Sequence, residues 1–442
     1  MLKLGPRAGL DRRVWQMAFA RAVNTMGLSL VMSFLGIYIY KSRGYPAWVY
    51  GVIALCANLG QSMANAWAGS LSDRIGRRPL ITNALFVRAA FIVGLGTQIL
   101  LDAPLWTLAV NIVISSTLRG CFEPVSYALV SDVVRDDQRV TAFGIQRMGT
   151  NIGWAIGPAL GGLLSKVMPY GAVFYFAAAG LAITGIITLG IEDPVRRPGP
   201  AAPPAGAASS GTAPPGAGSS GTASAGAASA GAASAGTWDL LRAVREGLSD
   251  RLMSMLLIGT FLCALLETQM FTTLGIYMTT QLALTEAQFG LLYALNGAAV
   301  LALQFPALAV IRRLGIGLML PWSSFLDALG FAVIGLASGF GGGALAIVIL
   351  TCAEVLFDPS QQAAIAEVAD PAHRGRAFGV VGFASSVGIA LAPLLGGRLL
   401  DAIGSHHVAM WLAISAIGAG QTACFTAFVR RRMHVRPLQA VP

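Results

Sequence analysis

Nine charged residues are placed at membrane depth by the long apolar runs of this sequence: Arg21, Arg88, Arg119, Glu123, Arg147, Glu267, Asp327, Glu354 and Asp358. A charge at the centre of a hydrocarbon layer costs at least about 2.5 kcal/mol unless it is paired or wetted, so such residues read as functional. A buried carboxylate holds its proton more tightly than one in water, which suits a proton carrier. A guanidinium can hold a carboxylate or an anionic group of a ligand. The competing account is a structural ion pair, for instance Arg119 with Glu123 one helical turn away. Arg88 and Arg147 are also placed to snorkel toward an interface.

Other chemistries find no residues to carry them. The lysines are Lys3, Lys41 and Lys166, none in a glycine-rich loop, so there is no nucleotide-binding P-loop. A GxGxxG match, Gly216 to Gly221, has neither a strand before it nor a helix after it. His406 and His407 are adjacent and cannot face one metal from one side of a helix. Cys56, Cys121, Cys263, Cys352 and Cys424 all fall in apolar runs without metal-ligand spacing and are expected to be small buried thiols. We expect no enzyme, no metal and no cofactor.

The elements that must position the charges are read from hydropathy. Of 442 residues, 55% are hydrophobic and 11% charged, against about 25% charged in soluble domains; the mean hydropathy is +0.68. Apolar runs long enough for a bilayer, roughly 20 residues each, recur along the whole chain. In hydrocarbon each backbone polar group must be paired within its segment, so these runs are expected to be helices; the alternation of a barrel strand is absent. The predicted spans are 14–40, 47–69, 80–101, 105–134, 141–165 and 170–191, then 251–279, 286–311, 317–338, 341–369, 376–402 and 406–429. The first run begins near Val14 and is too long for a cleavable signal segment.

The net charge of +10 follows from topology and not from nucleic acid. About 22 of the 30 Lys and Arg fall on one side of this arrangement, with Lys41, Arg43 and Lys166 on the other and five inside helices. The asymmetry predicts cytoplasmic termini in a multi-pass protein of the cell membrane, with basic segments near anionic lipid. The chain divides into a first six-helix bundle (1–191), a disordered linker (192–237) rich in Pro, Gly, Ala and Ser, an amphipathic interfacial helix (238–250) with Thr237 as a plausible N-cap, a second bundle (251–429) and a basic tail (430–442).

An internal repeat links the halves. LGIY at Leu35–Tyr38 returns at Leu274–Tyr277, 239 residues on, and the same offset relates Gly51 to Gly290 and Arg74-Ile75-Gly76 to Arg313-Leu314-Gly315. The offset then becomes 235, relating Phe122-Glu123-Pro124 to Phe357-Asp358-Pro359, Arg139 to Arg374, and Gly153, Pro158, Gly161 and Gly162 to Gly388, Pro393, Gly396 and Gly397. Two halves of one orientation imply a twofold axis along the membrane normal, with a substrate site between them near the midplane. Arg119 and Glu354 share the 235-residue offset with opposite charge, an arrangement for a gate that pairs in one conformation and parts in the other.

After the second span runs Gly69-Ser-Leu-Ser-Asp-Arg-Ile-Gly-Arg-Arg78. It resembles the signature G-x-L-a-D-r-x-G-r-[KR] of the major facilitator superfamily, each fixed position being met by Gly69, Leu71, Asp73, Arg74, Gly76, Arg77 and Arg78. The resemblance implies a cytoplasmic latch, with Asp73 facing the start of the eleventh span, Arg77 reaching Asp132, and Arg139 completing the basic rim. The fifth span, with Gly149, Gly153, Gly157, Pro158, Gly161 and Gly162, looks like the G-x-x-x-G-P-x-x-G-G run of family antiporters; small residues four apart also let helices approach closely. In the fourth span Phe122 and Glu123 stand where drug-exporting members carry Gln and Gly after the equivalent of Arg119. The resemblance covers the chain outside the linker. It implies an all-α integral membrane fold of twelve helices in two pseudo-symmetric six-helix bundles, with Arg21, Arg119, Glu123, Glu267, Asp327, Glu354 and Asp358 as candidates for the substrate and proton pathway. It also implies a monomer whose partners are a small-molecule substrate, protons and membrane lipid. The expected function is proton-coupled export of amphipathic small molecules or drugs by alternating access; the alternative is a proton-coupled or facilitative carrier for a zwitterionic or anionic metabolite.

Overall fold

The computed structural model describes residues 10–135, 138–191, 237–369 and 374–435; the linker read at 192–237 lies, apart from Thr237, outside the described residues, as does the tail beyond Val435. Among the described residues the chain is helical, with no strand. The first half holds α1 (Arg12–Ile37), α2 (Ala47–Ile75), α3 (Arg77–Leu100), α4 (Leu105–Gly120), α5 (Phe122–Val133), α6 (Arg139–Leu164) and α7 (Tyr170–Leu189). Then come α8 (Thr237–Ser249), α9 (Arg251–Phe271), α10 (Thr273–Thr280), α11 (Glu286–Leu314), α12 (Ile316–Leu336), α13 (Gly339–Val368), α14 (Arg374–Ile403) and α15 (His407–Val435).

Local chemistry sets the helix ends. Pro46, Pro104 and Pro169 precede α2, α4 and α7, where a missing N–H costs nothing. Asp11 caps α1 by accepting from the Arg13 amide at 2.8 Å, and hydrogen bonding to the Arg13 side chain holds its carboxyl below the usual range. Thr285 and Gln288 form a reciprocal capping box on α11. Gly76 (φ 97°) joins α2 to α3, and Gly315 (φ 77°) joins α11 to α12. Only glycine takes this backbone without strain, which accounts for the repeated glycine in the two Arg-x-Gly segments.

Three predicted spans are interrupted. The first runs from α1 into a π-helical turn over Tyr38–Ser42. The fourth breaks at Cys121, between α4 and α5; Pro124 has no N–H for the carbonyl of Gly120 and its ring crowds that carbonyl. The seventh breaks at Thr272, between α9 and α10, where the Thr268 and Thr272 hydroxyls donate back to the carbonyls of Ala264 and Thr268.

The repeat is visible as packing. α2 lies against α14 and α6 against α11. A Cβ on Gly51 would fall 2.6 Å from Pro393 O, and one on Gly290 would press on Pro158 O. A Cβ on Gly162 would meet Glu286 O at 2.5 Å, and one on Gly397 would meet Ala47 O at 2.7 Å. In each pair of contacts, both members of one are the repeat partners of the other. Among the described residues nine helical runs are long and apolar enough to cross a membrane, one of them (Arg376–Arg432) covering most of both α14 and α15. α2 and α6 are not among the nine. They are the helices of the first half that pack most extensively on the second, and small and polar residues there replace long aliphatic ones.

Candidate functional site

The buried charges separate by sign. Arg21 on α1 is fully buried. Its Nη1 lies 2.6 Å from Glu123 Oε2, its Nη2 donates to Ser126 Oγ, and its guanidinium stands 4.1 Å from the centroid of the Tyr127 ring. Glu123 is therefore committed to Arg21, 102 residues away, and not to Arg119 as the one-turn spacing predicts; the break at Cys121 turns it off the α4 face. Arg88 is buried and donates to Asn24 Oδ1 at 3.1 Å, so it is no interfacial snorkeller. Arg119 is 7% exposed and has no ion-pair partner among the described residues.

Arg119 instead lines a central cavity of about 70 Å³, together with Tyr50, Asn58, Trp154, Glu267 and Phe271. The break at the end of α4 and the one at the end of α9 place Arg119 and Glu267 on the walls of the same chamber. Glu267 Oε1 is buried and has no hydrogen-bond partner among the described residues. Trp154 of α6 and Phe271 of α9 meet across the halves, ring centroids 4.8 Å apart.

The second half contributes carboxylates. Glu267, Asp327, Glu354 and Asp358 lie within electrostatic reach of one another; Asp327 and Asp358 are buried and Glu354 half-buried. The cation facing Asp358 and Glu354 is Arg147, from α6 of the first half. Arg147 is thus no snorkeller either. Its role escapes the sequence, since nothing in the local pattern of α6 reports a partner on α13. Arg119 and Glu354 do not form an ion pair in this conformation. No three of His, Cys, Asp and Glu group as metal ligands among the described residues. Cys56 is exposed, unlike the buried thiol expected.

The two ends of the molecule differ. At the end opposite the termini the halves are joined: Asp401 accepts from the amides of Ala47 (2.9 Å) and Trp48 (2.8 Å) at the start of α2. Glu286 meets Lys41 at 3.4 Å and Tyr170 at 3.2 Å, and Arg398 covers the Trp48 ring. At the terminal end Arg77 pairs with Asp132 at 2.5 Å, Arg78 donates to Leu189 O, and Glu246 of α8 bridges Arg242 and Arg376. Gly69, Asp73 and Arg74 lie in the last turns of α2 and Arg139 opens α6; the side chains of Asp73 and Arg139 lie outside the described residues. In the α6 run, Gly153 and Gly157 pack on the backbone of α1, Gly161 on Phe34, and Pro158 and Gly162 on α11.

The family model of the Major Facilitator Superfamily matches residues 17–244 and 256–440. The chain belongs to this superfamily. As a facilitator protein it is a membrane carrier and not an enzyme. It is 24% identical over 431 residues to the "Uncharacterized MFS-type transporter YqjV" of Bacillus subtilis, covering 95% of this chain and 94% of that one. It is 28% identical over 160 residues to the multidrug resistance protein MdtH of Cronobacter sakazakii, covering 35% and 39%. Among solved structures, the nucleoside transporter NupG superposes with a TM-score of 0.72 at 15% identity, covering 95% of this chain and 99% of that one. A POT family transporter in complex with 5-aminolevulinic acid gives 0.71 at 15% identity, covering 96% and 97%. These structural likenesses show the facilitator fold.

Proposed function

We propose that this facilitator protein is a proton-coupled exporter of amphipathic small molecules. It works as a monomer of twelve membrane-crossing helices in the cell membrane, with both termini cytoplasmic and residues 192–237 as a cytoplasmic linker between two six-helix bundles. The observation that carries the reading is Glu267, a half-buried residue whose Oε1 is buried, on the wall of a central cavity that Arg119 also lines. A carboxylate so placed gains or loses a proton in step with what occupies the chamber. The end joined by Asp401 and Glu286 is then the outer gate, closed here, and Gly69 to Arg78 with Asp132 and Arg139 form the inner latch. A second reading, a carrier for a zwitterionic or anionic metabolite, is favoured by Arg119 as a cavity cation and by the nucleoside and 5-aminolevulinic acid named with its structural neighbours.

Proteoliposomes with an imposed proton gradient test this, with ethidium as the transported probe. The wild type should accumulate ethidium against its gradient, and Glu267→Gln should bind it while losing proton-driven accumulation. Unchanged accumulation would move the proton to Asp358. Wild-type flux indifferent to the proton gradient would replace the reading with the carrier.

A further inference from the structure

Beside the central cavity lies a second, smaller one of about 20 Å³. Its wall is made by Asn151 and Trp154 of α6, Phe271 of α9, Tyr293 and Asn296 of α11, and Glu354 of α13. Trp154 and Phe271 line both cavities and so form the partition between them. Phe271 stands in turn 5.7 Å from Tyr293, centroid to centroid. Tyr293 and Asn296 are held in place: the Tyr293 hydroxyl donates to Met270 O, and Asn296 donates to Thr351 Oγ1 at 2.9 Å.

Three aromatic rings, two amides and one carboxylate around a single small space make a recognisable chemistry. Ring faces carry negative charge density and attract a cation that is weakly hydrated; they cannot replace the water shell of a small inorganic ion. The carboxylate supplies the full countercharge. Arg147 now faces Glu354, and an incoming cation takes its place. An organic ammonium group fits these demands: charged, apolar at its surface, and shaped to lie against rings.

The partition adds a constraint. Trp154 and Phe271 stand between this cavity and the central one of about 70 Å³, and a ligand that occupies both must pass between the two rings. The ligand therefore places its ammonium head beside Glu354 and extends its apolar remainder between the rings toward Arg119 and Glu267. We infer that Glu354, Trp154, Phe271 and Tyr293 form a subsite for the organic ammonium group of the transported molecule, separate from the proton-bearing Glu267. The inference rests on the reading of the chain as a transporter of amphipathic small molecules and names the charge its substrate carries.

The test is equilibrium binding to the purified full-length chain in detergent, with no gradient present. The probe is radiolabelled benzyltrimethylammonium; its neutral isostere, neopentylbenzene, serves as competitor. The wild type should bind the cation saturably and in preference to the isostere. Glu354→Gln should weaken the cation about tenfold or more, the loss of one charge-assisted contact, and leave the isostere unchanged. Trp154→Ala should weaken the cation while Trp154→Phe retains it, which separates loss of a ring from loss of the fold. Cation affinity that is unchanged in Glu354→Gln, or no preference over the isostere in the wild type, overturns the subsite. If Glu354-dependent binding holds while proton-driven accumulation fails, the subsite stands and the proton-coupled reading falls. Proton-driven flux with binding indifferent to Glu354 does the opposite: the subsite falls and the proton-coupled reading stands.

Discussion

Replacing Asp401 by Ala should open the joined end of the molecule. The Asp401 carboxylate accepts two backbone N–H groups, from Ala47 at 2.9 Å and Trp48 at 2.8 Å, across the boundary between the halves. These amides open α2 and have no partner inside that helix. A hydrogen bond to a charged group contributes about 1.5–3 kcal/mol net, and a carboxylate at a helix N-terminus about 0.3–1 kcal/mol more. Asp401 is exposed, so water takes over part of both terms, and a sum of about 1–2 kcal/mol remains. This stabilisation exists only while the halves touch, so its loss shifts the equilibrium toward separation by a factor of about 5–30. Spin labels at Ser42 and Ser405, both exposed and on opposite halves, would report it in a background lacking the five native cysteines. Asp401→Ala should move the distance distribution toward longer separations, and Asp401→Asn, which keeps an acceptor, should move it less. A distribution unchanged by Asp401→Ala would refute the assignment of this contact as a clamp.

Much of this arrangement was legible in the sequence, for reasons that can be located. The predicted spans are helical among the described residues because an apolar run has no other way to pair its backbone in hydrocarbon. The repeat was readable because it records contacts that occur twice. Gly51 on Pro393 and Gly290 on Pro158 are one contact used in both halves, and neither glycine can change without a clash. The charge pairing was not legible. Glu123 follows Arg119 by four residues, and on an unbroken helix the two would meet; the break at Cys121 sends Glu123 to Arg21 instead. Arg147 and Asp401 were missed for a related reason. Their partners are carboxylates on α13 and backbone amides of α2, and a backbone amide leaves no residue type to read. Trp154 and Phe271 looked like any aromatic residue in an apolar span until the halves were brought together.

Gly51→Ala and Gly290→Ala should act alike. Each places a methyl against the backbone of Pro393 or Pro158, at about 1–3 kcal/mol of overpacking, and each should lower the thermal midpoint and lengthen the Ser42–Ser405 separation. Gly341→Ala, where a Cβ meets nothing within 4 Å, is the neutral control, and equal effects from all three would discredit the packing argument. Glu123→Gln and Arg119→Gln should divide stability from transport. The first removes the countercharge of a fully buried Arg21, and breaking such a pair costs about 3–5 kcal/mol, so the purified protein should melt well below the wild type. Arg119 gives up no ion pair among the described residues, so Arg119→Gln should melt close to the wild type while transport through the chamber it lines is impaired. If Arg119→Gln is the variant that destabilises and Glu123→Gln melts normally, the assignment of the Arg21 pair to the scaffold and Arg119 to the chamber is wrong.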